Sequence, residues 1–293
     1  MHKAGFVNII GAPNVGKSTL MNELVGERLS IITSKAQTTR HRILGIVNDE
    51  EHQIVFSDTP GIVDPAYKMH EGMMSFVKSA ISDADVLLVM VEAQEKEFKD
   101  KEILARLQKT STPIILLINK IDEVEQAFLE ERVAYWKGQL PQAKIFPISA
   151  LHRFNVDQVL LEIKALLPEF PPFYDKDALT DRPERFFVSE IIREKILLHY
   201  KKEIPYSCEV EVEEFKDEPN IVRIRAVIMV IRDSQKGIII GHQGKGLKRV
   251  GTEARKDMEQ FLGKKVFLEL YVKVNKDWRN NEAQLKRFGY LNR

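Results

Sequence analysis

The chain is predicted to fold as an α/β domain with a mostly parallel sheet and helices on both faces, followed by a smaller α+β domain. Three observations predict this. From Gly5 to about Leu167, apolar strand runs alternate with helical stretches, the pattern of successive βα units. The segment Pro168–Pro183 then breaks the alternation with four prolines and reads as an ordered, non-helical linker. Beyond it the predicted order becomes α-β-β-α-α-β. The expected boundaries are 1–170 for the first domain, 171–183 for the linker and 184–293 for the second domain.

The first element, Gly5–Ile10, reads as a buried strand ending at Gly11, and Ser18–Leu24 opens a helix. Between them, Gly11, Ala12, Pro13, Asn14, Val15, Gly16, Lys17 and Ser18, with Thr19 behind, fit the phosphate-loop pattern G-x-x-x-x-G-K-[ST] in the strand–helix context it requires. Glycines at 11 and 16 let backbone N–H groups converge on phosphate without an intervening Cβ. The helix N-terminus adds partial positive charge there. Lys17 is expected to reach the β- and γ-phosphates and Ser18 to ligate Mg²⁺. A chance glycine-rich turn is the alternative, and three later segments argue against it.

Asp58, Thr59, Pro60, Gly61 and Ile62 follow the alternating stretch His52–Ser57. Asp58 is placed to hold Mg²⁺ through a water, because Mg²⁺ dehydrates reluctantly. Gly61 can bring its amide to the γ-phosphate. Asn119-Lys120-Ile121-Asp122 follows the apolar strand Pro113–Ile118. Guanine presents two donors on one edge, and the Asp122 carboxylate can accept both. Adenine would set an acceptor against that carboxylate, and the unpaired polar groups would reject it. Asn119 can tie the base loop to the phosphate loop, the Lys120 stem can cover the base plane, and the Ala150 amide after Ser149 is a candidate donor to guanine O6. The predicted nucleotide is therefore GTP, and an ATP-using kinase fails on Asn119–Asp122.

The polar stretch Thr33–Arg42 before the strand pattern Ile43–Val47 is the natural switch loop, with Thr39 chosen over Thr38 as a Mg²⁺ ligand that senses the γ-phosphate. Ras-like GTPases carry a water-orienting glutamine after the switch glycine. Here the residue is Ile62, which cannot polarise water. Asn14 is a candidate ligand for K⁺, which would stand in for an arginine finger. Catalysis is expected to rest on Lys17, Thr39, Gly61 and Asn14.

Charged residues are 30% and hydrophobic residues 44% of the 293, as in a soluble globular protein of two domains. The single cysteine, Cys208, excludes an intrachain disulfide and reads as a strand-core thiol in a reducing compartment. There is no signal peptide and no apolar run long enough to span a bilayer, so a cytoplasmic protein is expected. No coiled-coil pattern argues for assembly, and a monomer is expected. The net charge of +1 hides an asymmetry: residues 232–293 hold 15 Lys+Arg against 7 Asp+Glu, while residues 1–231 hold 29 against 36. A basic terminal region on an acidic body points to a polyanionic partner.

In the second domain, Gly241-His242-Gln243-Gly244 separates a short apolar helix, Gln235–Ile240, from a longer one, Lys245–Phe261. With that element order, this G-x-x-G resembles the loop of a type II, prokaryotic KH domain. Glycines suit a loop that a sugar-phosphate backbone must approach closely. Lys245, Lys248 and Arg249 would face phosphate, and the run Ile238–Ile240, with Ile239 at its centre, would floor a groove for unstacked bases of single-stranded RNA.

Together, Gly11–Ser18, Gln37–Arg42, Asp58–Gly61, Asn119–Asp122, the linker motif Leu179–Arg182 and the ending Lys273–Arg279 resemble the Era family, bacterial Ras-like GTPases with a C-terminal KH domain. The resemblance covers nearly the whole chain. It implies slow GTP hydrolysis with Mg²⁺ and an apolar residue at the Ile62 position. It further implies binding of small-subunit ribosomal RNA near its 3′ end, assistance in 30S subunit assembly, and peripheral association with the inner membrane. His242–Gln243 departs from the Asn or Lys that the family often carries there. The competing expectation is a GTPase whose second domain engages another client, such as tRNA, a membrane or a protein.

Overall fold

The computed structural model describes residues 2–291. By internal packing they form two units. The first comprises residues 2–30, 39–66 and 70–181, and the second 31–38, 67–69 and 182–291.

The first unit runs β1 (Lys3–Gly11), α1 (Lys17–Val25), β2 (Ile43–Asn48), β3 (His52–Asp58), α2 (Lys68–Ser82), β4 (Val86–Glu92), α3 (Lys101–Lys109), β5 (Ile114–Asn119), α4 (Gln126–Gln139), β6 (Lys144–Pro147) and α5 (Val156–Leu166). The strands form one sheet in the order β2-β3-β1-β4-β5-β6. All neighbours are parallel except β2, which runs antiparallel to β3. The central strands β4 and β5 are almost unbroken apolar runs because helices cover both faces. On one face, Met74, Val77 and Ile81 of α2, Ile103 and Leu107 of α3, and Trp136 of α4 pack on alternate β4 and β5 side chains. Helix α1 packs on β2 and β3 beside α5. The sheet reverses its winding at β1, and the loops that leave the carboxyl ends of β1, β3 and β5 meet there, the usual ligand crevice of an open α/β sheet.

The predicted linker is ordered and non-helical, and up to Asp181 it belongs to the first unit. Gln53, fully buried in β3, accepts from the amides of Phe173 at 2.6 Å and Tyr174 at 3.0 Å, and donates to the Tyr174 carbonyl at 2.8 Å. Thr180 Oγ1 donates to the Leu44 carbonyl at 2.6 Å.

The second unit contains α6 (Glu184–His199), a short α7 (Ile204–Ser207), β7 (Glu209–Asp217), β8 (Ile221–Val230), α8 (Asp233–Ile240), α9 (Lys245–Leu262), β9 (Lys265–Val274) and α10 (Glu282–Arg287). Its sheet has the order β7-β8-β9, with β8 and β9 parallel. Even-numbered residues from Val222 to Val230 face a core built with Val188, Ile192 and Ile196 of α6 and Val250, Ala254 and Met258 of α9. Cys208 is fully buried in that core. The sequence reading lacked the final cover: the segment around α10 reaches the other sheet face, where Tyr290 donates to Glu209 at 2.6 Å and Trp278 donates to the Ser207 carbonyl at 3.3 Å. Within this unit the buried Glu190–Arg193 pair also holds the loop 31–38, as Arg193 donates to the carbonyls of Gln37 and Thr38.

Candidate nucleotide and nucleic-acid sites

In the first unit the turn between β1 and α1 is shaped by left-handed residues that an ordinary side chain resists. Asn14 has φ 66° and Gly16 has φ 105°. A Cβ on Gly16 would stand 2.3 Å from Asn119 Nδ2, so only glycine lets the base loop lie against this turn. Lys17 is buried and donates to the carbonyls of Gly11 at 3.1 Å and Ala12 at 2.8 Å, curling its ammonium over the loop. Burial lowers its pKa to about 8, against the opposing pull of Asp58 and Glu95. A charge so disfavoured gains more than an exposed lysine would from an incoming phosphate.

The three predicted magnesium residues come together. Ser18 Oγ donates to Asp58 Oδ2 at 2.7 Å and lies 2.9 Å from Thr39 Oγ1, and Thr39 Oγ1 donates to Asp58 Oδ2 at 3.2 Å. Asp58 Oδ1 is buried with no hydrogen-bond partner. Burial pushes the Asp58 pKa up, opposed first by Lys17. Two hydroxyls and a buried carboxylate oxygen in want of a partner fit a small oxygen-seeking divalent cation. Thr38, by contrast, bonds Thr33 Oγ1 and the Lys35 carbonyl. Thr59 Oγ1 donates to the Ile9 carbonyl at 2.7 Å, Gly61 lies against Pro13, and the Ile62 amide donates to the Gly11 carbonyl at 3.2 Å while its side chain joins the apolar core.

The base loops are joined as expected of Asn119: its Nδ2 donates to the Val15 carbonyl at 2.7 Å, and its Oδ1 accepts from the Ala150 amide at 2.9 Å. The second bond sets the Ala150 amide, expected to meet guanine O6, beside the Asn119 side chain at the head of the base loop. Lys120, at φ 63°, pairs with Glu92 at 3.1 Å, which fixes its stem. A hydrogen bond from Ser149 holds the Asp122 carboxyl below its ordinary pKa, so it is an acceptor at neutral pH.

In the second unit, α8 ends at Gly241 with φ 70°, and a single tight turn, His242–Gly244, leads into α9 from Gly244 at φ 75°. His242, Gln243, Lys245, Lys248 and Arg249 are exposed around this turn, and Arg249 pairs with Glu253 at 3.2 Å. Beside it runs an open groove of about 370 Å³ whose lining includes Gly244, Leu247, Lys248, Gly251, Leu268 and Leu270. Ile239 is corrected: it is fully buried in the unit's core, and only its carbonyl is engaged, by Tyr200 Oη at 2.7 Å. The apolar floor is supplied by α9 and β9. Sequence reasoning also missed Gly251, in the middle of α9. A Cβ there would stand 3.3 Å from Leu270 and narrow the groove, and a glycine that costs a helix about 1 kcal/mol is the signal that was available.

Known proteins match both units. Residues 6–120 match the 50S ribosome-binding GTPase family, and residues 203–279 match the KH domain family. GTPase Era of Staphylococcus haemolyticus is 46% identical over 292 residues, covering 99% of this chain and 98% of the relative. The chain belongs to the Era family. GTPase Era of Alkaliphilus metalliredigens is likewise 46% identical over 292 residues, covering 99% of both chains. Among solved Era structures, one in complex with MgGDPNP and nucleotides 1506–1542 of 16S ribosomal RNA is 39% identical, with a TM-score of 0.95 over 99% of both chains. An Aquifex aeolicus Era variant bound to GDP·AlF₄⁻ is 40% identical, with a TM-score of 0.94 over 98% of this chain and 99% of that one. As an Era-family member the chain is a GTPase: a P-loop α/β domain followed by a KH domain. No helix among the described residues is long and apolar enough to cross a membrane.

Proposed function

We propose that the protein is a GTP-driven switch that captures the 3′ region of small-subunit ribosomal RNA in its KH groove and so assists 30S assembly. The observation that carries this reading is the pairing, on one chain, of a guanine-selective phosphate site with an apolar-floored, lysine-lipped groove beside Gly241–Gly244. A solved relative has 16S ribosomal RNA bound. The functional division is 1–170 for hydrolysis, 171–183 as linker and 184–293 for RNA.

In the nucleotide domain, Asp122 reads the guanine edge and the backbone amides from Asn14 to Ser18 cradle the phosphates. Lys17 leaves the carbonyls of Gly11 and Ala12 to pair with β- and γ-oxygens. Ser18, Thr39 and Asp58 would hold Mg²⁺, which would supply charge neutralisation at the phosphates. Gly61 offers its amide to the γ-phosphate. Ile62 cannot orient the attacking water, so hydrolysis is slow, and Asn14 would hold K⁺, which would supply the missing positive charge. Equal turnover in K⁺ and Na⁺ buffers would remove that role from Asn14. In the KH domain, Gly241 and Gly244 let an RNA backbone pass close, His242, Gln243, Lys245, Lys248 and Arg249 meet it, and bases lie over Leu247, Leu268 and Leu270. The protein acts as a cytoplasmic monomer that visits the membrane only at its periphery.

The test is binding of an oligonucleotide matching the 3′ end of 16S ribosomal RNA, with tRNA as competitor, across salt. Phosphate contacts by three cations give a log–log salt slope of roughly −2 on a single strand. Weak, salt-insensitive binding, or equal affinity for tRNA, would favour another client.

A further inference from the structure

Thr39 is brought to Ser18 and Asp58 by a segment that lies outside the sheet. The β2–β3 ladder begins only at Ile43, opposite Asp58. Between Thr39 and that ladder, Arg42 ties the chain to the sheet. Its Nε donates to Ser57 Oγ at 2.7 Å, its Nη1 to Asp83 Oδ2 at 2.5 Å, and its Nη2 to Asp83 Oδ1 at 3.0 Å and Asn8 Oδ1 at 3.1 Å. Asn8 is fixed in turn, donating to the Ala80 carbonyl and to Asp83 Oδ1, each at 2.7 Å. Ser57 and Asn8 are fully buried, and the Arg42 side chain is 16% exposed. One guanidinium thus joins β1, β3 and the end of α2, and grips the residue next to Asp58.

The other side of the switch segment is held in a similar way. Asn22 Oδ1 accepts from the amides of Leu29 and Ser30, at 3.0 and 2.9 Å, and its Nδ2 donates to the Ser30 carbonyl at 2.8 Å. These two anchorages, at Ser30 and at Arg42, bracket the segment that carries Thr39.

We infer that Arg42 is a positioning residue for the magnesium and γ-phosphate site. It locks Ser57–Asp58 and the root of the Thr39 segment to one frame, so that Thr39 closes on the metal at little entropic cost. This rests on the reading of Thr39 as a GTP-state ligand. A surface ion pair would contribute little, but this fork also satisfies two buried side chains, and a lysine cannot reproduce its geometry. GDP lacks the γ-phosphate that draws Thr39 in, so the effect should separate the two nucleotides.

The experiment measures affinity of the full chain for fluorescent GDPNP and fluorescent GDP across a Mg²⁺ titration, for the parent protein, Arg42→Met, Arg42→Lys, Asp83→Asn and Thr39→Ala. Arg42→Met should raise the Mg²⁺ midpoint for GDPNP about tenfold, the loss expected of hydrogen bonds to a charged group, and move that for GDP less than about twofold. Arg42→Lys should recover part of the shift. Equal shifts for both nucleotides, or none, would overturn the positioning role. If Arg42→Met does not fold, Asp83→Asn, which leaves the contacts to Ser57 and Asn8 in place, must show a smaller GDPNP-selective shift or the inference fails. A GDPNP-selective shift in Thr39→Ala alone removes only the role of Arg42. No shift in Thr39→Ala removes the reading of Thr39 as well.

Discussion

Asn119 and Lys248 stand for two ways of building a binding site. Asn119 is 3% exposed and spends its amide on two other loops, the Val15 carbonyl and the Ala150 amide. Lys248 is exposed at the lip of a groove. The nucleotide site is pre-organised: Ser18, Thr39 and Asp58 already touch, Lys17 is buried against the loop it serves, and Asp122 is held ionised. The KH groove offers shape, apolar floor and exposed charge, and leaves its partner to supply the order. Selectivity should therefore be steep and discrete in the first site, and graded, additive and salt-dependent in the second.

The sharpest break of that contrast is Asp122→Asn. Losing the acceptor for both guanine donors should weaken GTP binding by about 10³-fold and improve xanthosine triphosphate binding, since xanthine offers a carbonyl to the new amide. Competition binding with both nucleotides reads this directly, and unchanged guanine selectivity would break the assignment. The next effect is on pH. Lys17 has a pKa of about 8 before nucleotide binds. Phosphate favours its charged form, so binding takes up a proton above that pH. GDP affinity should be flat below pH 8 and fall up to about tenfold per unit above it. A flat profile to pH 9.5 would mean the ammonium does not engage phosphate.

In the KH groove, Lys248→Ala should weaken RNA about fivefold at low salt and make the log–log salt slope shallower by about 0.7, with GTP turnover unchanged. A change in turnover without a change in slope would contradict a phosphate contact. The smallest effect is Gly251→Ala. Its methyl should stabilise α9 by up to about 1 kcal/mol, while crowding Leu270 and costing RNA affinity two- to threefold. Tighter RNA binding would show that the groove floor lies elsewhere.

What could be read from the sequence follows the same contrast. Contiguous motifs bind through backbone and short-range geometry, so Gly11–Ser18 and Asn119–Asp122 were legible residue by residue. The fully apolar runs of β4 and β5 announced a buried parallel sheet. Three successive apolar residues in a short helix do not say which one faces inward, so Ile239 reads as groove floor although the core holds it. The Ala150–Asn119 bond was not legible, because the two residues lie 31 positions apart. Arg42 lies far in sequence from Asn8 and Asp83, so its role emerges only when β1, β3 and α2 are assembled. The cover around α10 was missed because its two anchors, Trp278 and Tyr290, flank a short polar helix.

The most direct test of nucleotide-controlled RNA capture uses the Asp122→Asn protein with the 16S 3′-end oligonucleotide. Its RNA affinity should rise with a non-hydrolysable xanthosine triphosphate analogue and stay at the nucleotide-free level with GDPNP, while the parent protein shows the reverse preference. RNA binding that is indifferent to both analogues in both proteins would contradict control of the KH groove by the guanine site.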